Sequence, residues 1–398
     1  MTVSDSERAL LDSIDEHEIV TLTAALIDAG GENPGDTEEK TAKVLAEHCR
    51  ALGFDVRTVE VVPGRPNVIV SIGSDDRPGV LFVGHSDVVP AGTGWTTDPF
   101  SAVVRDGRIV GRGACDMKGG LAAVVAAMTA VQLAGLADEH PMTLACLVDE
   151  EDTGLGIRAF VADQPLRNHS HCVVAEPTDL VTIVGCRGAA NLEIETRGRS
   201  AHAGQPRNGA NAIAAAARII AIIEDWQIEL DGKPDPELGP ATWNVGTISG
   251  GTGTSMVADR CTLTVDRRLL PGERAIDVVD ELRSRIEAAD VTGSGIEVTI
   301  DVAMEMPGFL TSADSGLVST AVQSVLDTGS ASSTDIWTAS CDGGFVAQQM
   351  GIGTVVLGPG EIENQAHRPD ESVAVRQLTD SARAYALIAT RIAAPPGL

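Results

Sequence analysis

The chain has 398 residues, which is more than one ordinary domain holds and enough for two. Its formal net charge of −28 argues against nucleic acid and anionic membrane surfaces as partners, because both are negatively charged themselves. The hydrophobic fraction of 43% and the charged fraction of 22% are those of a globular protein.

Three features of the sequence bear on its location. The seven cysteines are an odd number without a CxxC pair, and several lie in apolar runs, so we expect buried thiols in a reducing compartment. The N-terminal segment is charged and lacks the apolar core of a signal peptide. Residues 121–137 form an apolar stretch that is short for a transmembrane helix and predicts a buried one. We therefore expect a cytoplasmic protein.

The first half of the chain alternates helical and strand-like patterns. Residues 6–29 have helical periodicity, and Asp106-Gly107 predicts the turn of a hairpin. Short apolar runs predict strands, and an alanine-rich run predicts a helix over 117–135. Strands that alternate with helices favour an α/β fold with a mostly parallel sheet. The main predicted strands are 56–62, 67–72, 79–83, 142–148 and 171–175.

The pattern changes near residue 190, which predicts a second domain inserted into the first. The order of its elements, βαββαβ, is that of a ferredoxin-like α+β domain. Alternation of helix and strand resumes after Pro307-Gly308. The predicted boundaries are 1–187 and 305–398 for the larger domain and 188–304 for the inserted one.

The segment VGHSDVVP, residues 83–90, places polar residues at the end of an apolar strand. Residues i and i+2 of an extended segment face the same side, so His85 and Asp87 are expected side by side. Ligands of α/β sheets bind at the carboxyl ends of strands, and a carboxylate beside a histidine fixes the tautomer that binds a metal. From these residues alone, a metal site and a surface histidine beside a loop aspartate are equally supported.

Further polar clusters follow other predicted strands or precede a helix. Asp116 in GRGACDMKGG precedes the alanine-rich helix, either as its N-cap or as a ligand. Four consecutive acids at 149–152 end a buried strand, where either water or a bound cation would offset their repulsion. Glu176 in AEPT and His367 in AHRPDE each follow another strand.

Together the clusters supply two histidines and several carboxylates at strand ends of one domain. Mixed histidine and carboxylate ligands suit zinc, cobalt or manganese. These groups are more than a single catalytic zinc needs, whereas two metals bridged by one carboxylate would use them all. Such a site predicts hydrolysis, in which the metals acidify a water and polarise a carbonyl while a separate glutamate acts as general base.

The combination of motifs resembles the acetylornithine deacetylase / succinyl-diaminopimelate desuccinylase family of dinuclear metal amidohydrolases and metallopeptidases. The resemblance implies a zinc-peptidase-like α/β catalytic domain interrupted by a ferredoxin-like lid or dimerisation domain. The motifs span roughly residues 80–375 in the family's order: GHSDVVP, GRGACDMKGG, DEE, EPT, GRSAHAGQPRNGANAI and GPG…AHRPDE.

The resemblance also implies a role for each site residue of the larger domain. The expected metal ligands are His85 and Glu176 for one metal, Glu151 and His367 for the other, and Asp116 as the bridge. Asp87 would orient His85, and Glu150 would be the general base. Two divalent ions are implied, zinc first, with cobalt or manganese as alternatives. The Asp116–Met117 peptide bond is expected to be cis.

Residues of the inserted domain carry further roles by the same resemblance. His202 of the SAHAGQP motif would enter the active site of a partner subunit of a homodimer and stabilise the oxyanion. Arg268 in DRRLLP would bind a substrate carboxylate, a role for which Arg267 competes. Ser255 stands where many relatives have an Asn-Val-Val-Pro-type segment, so we expect its substrate contact to differ.

The implied activity is removal of an N-acyl group from an amino acid, a small-molecule substrate. CDMKG and the GPG…NQAHRPDE ending favour a deacetylase acting on N-acetylornithine, a reaction of arginine biosynthesis. Desuccinylation of N-succinyl-diaminopimelate and dipeptidase or carboxypeptidase activity are the alternatives, since the same site cleaves either amide. A non-catalytic metal-binding protein is disfavoured by Glu150, because a structural site needs no general base.

Overall fold

A computed structural model describes residues 3–163, 168–293 and 295–392 of the protein. The helices are α1 (Asp5–Asp12), α2 (Glu16–Asp28), α3 (Glu39–Ala51), α4 (Gly119–Leu133), α5 (Leu155–Ala162), α6 (Ala212–Asp231), α7 (Ala275–Ala288), α8 (Gly316–Asp327), α9 (Gly343–Phe345), α10 (Ile362–Gln365) and α11 (Val375–Arg391). The strands are β1 (Asp55–Val62), β2 (Arg65–Ile72), β3 (Gly79–His85), β4 (Val103–Arg105), β5 (Arg108–Val110), β6 (Met142–Leu147), β7 (His169–Val174), β8 (Thr182–Cys186), β9 (Gly188–Arg197), β10 (Thr242–Gly250), β11 (Arg260–Leu269), β12 (Glu297–Met306), β13 (Phe309–Leu310), β14 (Thr334–Trp337), β15 (Gly353–Val356) and β16 (Ser372–Ala374).

The chain divides into two compact units. The first unit comprises the described residues of Met1–Gly185, Leu310–Ile336 and Phe345–Leu398, and the second those of Cys186–Phe309 and Trp337–Gly344. The assignment of a catalytic domain and a lid to stretches of the chain stays a prediction.

The larger sheet is mixed and has nine strands. Their order is β1-β2-β6-β3-β7-β15-β8-β13, with β14 paired to β8. The four central strands, β6, β3, β7 and β15, are parallel, as expected for a buried α/β sheet. A short turn at Pro63-Gly64 joins β1 and β2 as an antiparallel hairpin, and β2 also runs antiparallel to β6. The α/β class predicted from the sequence is confirmed.

The N-terminal helical segment is two helices rather than the one predicted over 6–29. α1 begins with a capping box, in which Ser4 accepts from the backbone of Glu7 and the Glu7 side chain accepts from that of Ser4. It ends at Asp12, and the side chain of Asp15 caps α2 by accepting from the His17 N–H. A second capping residue inside an otherwise periodic stretch is the reason for the break.

α4 is the buried helix of the first unit. Its start at Gly119 is two residues later than predicted, because Asp116 and Met117 have non-helical backbone angles. α2 and α11 pack against it. By length and composition alone, Ala114–Leu133 is apolar enough to cross a membrane, yet 89% of its apolar window is buried inside the structure. The prediction of a buried helix in this region is confirmed, and all seven cysteines are buried as well.

The second unit has a four-stranded antiparallel sheet in the order β10-β11-β9-β12. With α6 after β9 and α7 after β11, the chain order is βαββαβ, which is the ferredoxin-like arrangement. Alternate residues of β9, such as Leu192 and Ile194, are buried in one core with α6 and α7. The predicted sequence of elements in this region is confirmed.

Candidate metal centre

Parallel pairing brings the ends of three strands to one edge of the larger sheet. His85 at the end of β3 pairs with Leu147 at the end of β6, and Val83 pairs with Val174 at the end of β7. The acids at 149–152 and Glu176 follow the ends of β6 and β7 after one intervening residue each. This is the edge at which ligands of open α/β sheets bind.

Asp116 comes to the same edge from the irregular turn Ala114–Lys118, which precedes α4. The Asp116–Met117 bond is cis, as the resemblance predicts. Gly120 lets α4 begin against the chain that leads to Glu176, because a Cβ there would lie 2.2 Å from the carbonyl oxygen of Ala175.

The first group of candidate ligands consists of His85, Asp116 and Glu176. His85 Nε2 lies 3.1 Å from Asp116 Oδ1 and 3.4 Å from Glu176 Oε1. One ligand atom of each residue lies within 4.8 Å of the other two, and all three residues are buried. Two carboxylates and an imidazole in this spacing are a donor set for a divalent cation.

The second group consists of His367, Glu151 and, again, Asp116. His367 Nε2 lies 3.2 Å from Asp116 Oδ2 and 3.2 Å from Glu151 Oε1. Asp116 thus turns one carboxylate oxygen towards each group. The His367 side chain is 51% exposed, so this group is open to solvent while the first is enclosed. Of the two adjacent glutamates, it is the carboxylate of Glu151 that joins this group.

The electrostatics of the two groups fit cation binding. Burial would raise the pKa of Asp116, but the hydrogen bonds with His367 and His85 hold it well below its usual value. The pKa of Glu176 is raised to about 8 by burial and by the charge of Asp116, and the same two causes raise the pKa of Glu151. Carboxylates that resist ionisation because they are buried and lie close to one another are stabilised by a divalent cation, so the residues present fit a metal.

The carboxylates of the two groups raise the pKa of both histidines. Burial alone would lower the pKa of His85, but Glu176 and Asp116 raise it well above its ordinary value. Hydrogen bonds to Asp116 and Glu151 raise the pKa of His367 to about 10. A metal would have to displace these protons, so its affinity for the site would depend on pH.

Asp87 lies behind His85 and is fully buried. His85 Nδ1 is 2.9 Å from the backbone carbonyl of Asp87 and 3.5 Å from its Oδ1, so the carbonyl is the nearer of the two partners. The carboxylate also accepts the backbone N–H groups of Glu150 and Glu151, each at 3.2 Å. Asp87 therefore fixes the turn that carries the predicted general base and a predicted ligand.

A buried network behind Asp87 was not predicted from the sequence. The side-chain amide of Asn33 donates to Asp87 Oδ2 at 2.9 Å and to Asp149 Oδ1 at 3.0 Å. Arg65 donates to the same Asp149 oxygen at 2.7 Å and forms two further bonds to Glu38. Asn33 lies in a stretch, NPG, that indicates only a loop, because a loop asparagine has no pattern that reveals a buried partner.

The predicted residues of the second unit lie on neighbouring segments of that unit. His202 forms a β-bridge with Met256, and the Ala203 N–H donates to the Ser255 carbonyl at 3.0 Å. The segments that carry His202 and Ser255 are therefore adjacent in the structure. Arg268 is 33% exposed and pairs with Asp266 at 3.0 Å. Their predicted roles in substrate binding stay predictions.

Arg267 is a core residue of the second unit. Its side chain is fully buried, pairs with Glu273 at 3.0 Å, and lies 5.9 Å and 5.3 Å from the ring centroids of Trp226 and Trp243. A guanidinium that is buried, paired and packed beside aromatic rings in this way is not exposed to a ligand. The competing substrate role predicted for Arg267 therefore does not hold.

The fold and the two donor groups define a metal-dependent hydrolase of the α/β class. Comparison with known proteins makes this specific: residues 81–391 match the model of peptidase family M20/M25/M40, and the chain belongs to that family. The resemblance seen in the motifs is thereby confirmed. Enzymes of this family depend on metal ions, and the two groups at the sheet edge are the candidate ligands.

Relatives in sequence and in structure agree with this assignment. An acetylornithine deacetylase of Vibrio parahaemolyticus is 32% identical over 336 residues, which cover 83% of this chain and 86% of the relative. A metallo-carboxypeptidase of the M20 family from Sulfolobus solfataricus has a TM-score of 0.76 at 20% identity, with 94% of this chain and 98% of that chain covered. A tripeptidase of Staphylococcus aureus has a TM-score of 0.75 at 24% identity over the same shares of the two chains. The two solved structures support the fold alone.

Proposed function

We propose that the protein is a metal-dependent amidohydrolase that removes an N-acyl group, acetyl first, from an amino acid such as N-acetylornithine. The observation that carries the proposal is the pair of donor groups that share Asp116. The relatives named acetylornithine deacetylase and the CDMKG and AHRPDE motifs support the choice of substrate. We further propose that the enzyme works in the cytoplasm as a homodimer.

The donor groups would hold two divalent ions. His85 and Glu176 would bind one ion, Glu151 and His367 the other, and Asp116 both, with zinc as the first choice and cobalt or manganese as alternatives. When bound, such ions acidify a water molecule and polarise the substrate carbonyl. Asp87 keeps His85 in place and holds the backbone of the turn at Glu150 and Glu151.

Glu150 would be the general base. It would take a proton from the attacking water and pass it to the leaving amine. The hydrogen bond from its own backbone N–H to Asp87 ties its position to that of His85. Because Glu151 joins the second donor group, its neighbour is the glutamate of this turn that would act on protons.

Residues of the second unit would select the substrate. His202, supplied by the partner subunit, would donate a hydrogen bond to the developing oxyanion. Arg268 would bind the substrate carboxylate through its planar guanidinium, and Ser255 would contribute a polar contact. The exposed fraction of the Arg268 side chain, 33%, is compatible with a ligand in a way that the buried Arg267 is not.

A substrate panel tests the proposal. Purified protein is dialysed against chelator, reloaded with zinc, cobalt or manganese, and assayed on N-acetylornithine, N-succinyl-diaminopimelate and a dipeptide. Metal-dependent release of acetate from N-acetylornithine, at a kcat/KM above that for the other two substrates, supports the proposal. Preference for the succinyl compound or for the dipeptide would replace it by desuccinylase or peptidase activity.

A further inference from the structure

A buried carboxylate lies directly beneath Asp116, the residue common to both donor groups. Glu371 Oε1 accepts the backbone N–H of Cys115 at 2.9 Å and that of Asp116 at 3.0 Å. Glu371 is 1% exposed and is the last residue of the AHRPDE motif, four positions after His367. The backbone of one ligand is thus held by the segment that supplies another.

The second oxygen of Glu371 is paired with Arg112, the arginine of the GRGACDMKGG motif. Arg112 Nη1 lies 2.7 Å from Glu371 Oε2, and Arg112 is itself only 2% exposed. A buried ion pair of this kind is costly to break, because removing one partner leaves the other charged and out of water. Neither residue contributes an atom to the two donor groups.

The guanidinium of Arg112 also contacts the loops on either side of the centre. Nη1 donates to the carbonyl of Arg368 at 3.3 Å, next to His367. Nη2 lies 3.4 Å from the carbonyl of Pro90 and 3.3 Å from that of Ala91, in the loop that follows Asp87. The Trp95 ring covers the guanidinium, with its centroid at 5.2 Å.

The pair therefore connects three chain segments that carry or adjoin candidate ligands. These segments are the loop that follows His85 at the end of β3, the turn at Asp116 and the loop that holds His367. They are distant in sequence, so nothing local to any one of them determines their spacing. Carboxylates that repel one another within the two groups have to be held together by contacts from outside the groups.

We propose that Arg112 and Glu371 are positioning residues, which fix the Asp116 carboxylate between the two donor groups and set the distance from the loop that follows His85 to the loop that holds His367. This inference rests on the proposed function, because it takes the two groups to be metal sites. It also explains why the arginine of one motif and the terminal glutamate of another accompany the ligands. A purely structural pair would stabilise the fold without changing metal affinity.

The test compares zinc binding by variants of the full-length protein. The dissociation constant for Zn²⁺ is measured by competition with a chromophoric chelator, together with the thermal midpoint by circular dichroism. The variants are Glu371→Gln, Arg112→Met and the double substitution. Asp116→Asn shows the effect of losing a ligand itself. The control is Arg391→Met, which breaks a partly buried pair with Glu7 and Asp327 outside the donor groups.

The proposal predicts that either single substitution raises the Zn²⁺ dissociation constant about 10- to 100-fold, the range for groups that support metal ligands. Arg391→Met should lower the thermal midpoint and leave the dissociation constant within about 2-fold, because distant sites act independently. In the double variant the two losses of Zn²⁺ affinity should not add, since both substitutions remove the same ion pair.

The proposal is overturned if Glu371→Gln and Arg112→Met bind Zn²⁺ as tightly as the wild type and lose only thermal stability, as the control does. If a single variant does not fold, the double variant removes both buried charges together and is read by the same criterion. Zinc binding needs no substrate, so this failure is distinct from failure of the proposed function. The latter would appear as normal zinc affinity without turnover of the substrate panel.

Discussion

The side-chain amide of Asn33 offers a sharp test of the network behind the metal centre. It is 4% exposed and donates to two buried carboxylates, Asp87 at 2.9 Å and Asp149 at 3.0 Å. Asn33→Asp keeps the shape of the side chain but replaces the donor by a third acid. The substitution therefore converts two attractive contacts into repulsive ones without creating a cavity.

The size of the effect follows from these distances. A hydrogen bond to a charged group contributes about 1.5–3 kcal/mol, and a protonated aspartic acid can restore one of the two bonds but not both. If it ionised, two unit charges 2.9 Å apart would repel by about 6 kcal/mol at an effective dielectric constant of about 20. The new carboxyl should therefore stay protonated in the folded state, with a pKa above its unfolded value of about 3.9.

The loss of stability should consequently depend on pH. A group whose folded pKa is raised stabilises the fold below its unfolded pKa, and this contribution is lost as the pH rises through the folded pKa. We expect Asn33→Asp to lower the free energy of unfolding by at least about 3 kcal/mol at pH ~7 and by less at pH ~5. Urea denaturation followed by circular dichroism, at constant ionic strength, measures both values.

Asn364→Asp is the matched control. Asn364 is exposed and donates to Glu361 at 3.0 Å, so the same chemical change occurs beside one solvated carboxylate. Its effect should stay below about 1 kcal/mol and vary little with pH. Equal losses of stability in the two variants, or a loss in Asn33→Asp that does not grow with pH, would refute the role given to Asn33.

Two further predictions concern charge elsewhere in the protein. The net charge of −28 should destabilise the fold through repulsion between like charges. Raising KCl from about 0.1 M to about 1 M shortens the Debye length from about 10 Å to about 3 Å, so it should screen this repulsion and raise the thermal midpoint. An unchanged or lower midpoint would contradict self-repulsion as a destabilising factor. The hydrogen bond from Arg391 lowers the pKa of Glu7 from 4.5 to about 2, so this pair stabilises the fold above pH 4.5 and loses its effect as the pH falls towards 2. The free energy of unfolding of Glu7→Gln should therefore be about 1 kcal/mol below that of the wild type at pH ~7, and this difference should disappear near pH ~2. A difference that persists near pH ~2 would mean that packing of α1, and not the ion pair, is responsible.

The predicted ligands could be found from the sequence because each stands beside a strong local pattern. His85 and Glu176 end apolar strands, and Asp116 precedes an alanine-rich helix within a glycine-rich motif. Parallel pairing of the strands then brings these positions to one edge, which requires only the α/β class to be right. The βαββαβ order of the second unit could be predicted for the same reason, since its strands and helices have clear periodic patterns of apolar and polar residues.

The supporting residues could not be found in this way. Asn33 contacts Asp149 across 116 positions of the chain, and Arg112 contacts Glu371 across 259. No periodicity links such residues, and an arginine or an asparagine in a loop is ordinarily solvated. Arg267 illustrates the reverse case: the sequence offers it as a competitor of Arg268 for the substrate, yet β11 places its side chain in a core beside two tryptophans that contact each other.

The most direct test of the proposed function is the activity and metal content of Glu150→Ala. Wild type and variant are loaded with zinc, the bound metal is counted by emission spectroscopy, and turnover of N-acetylornithine is measured. We predict that the variant keeps its metal ions and loses activity by about 10²- to 10⁴-fold, because only the general base is gone. A variant that retains wild-type turnover with a full complement of metal would contradict the mechanism.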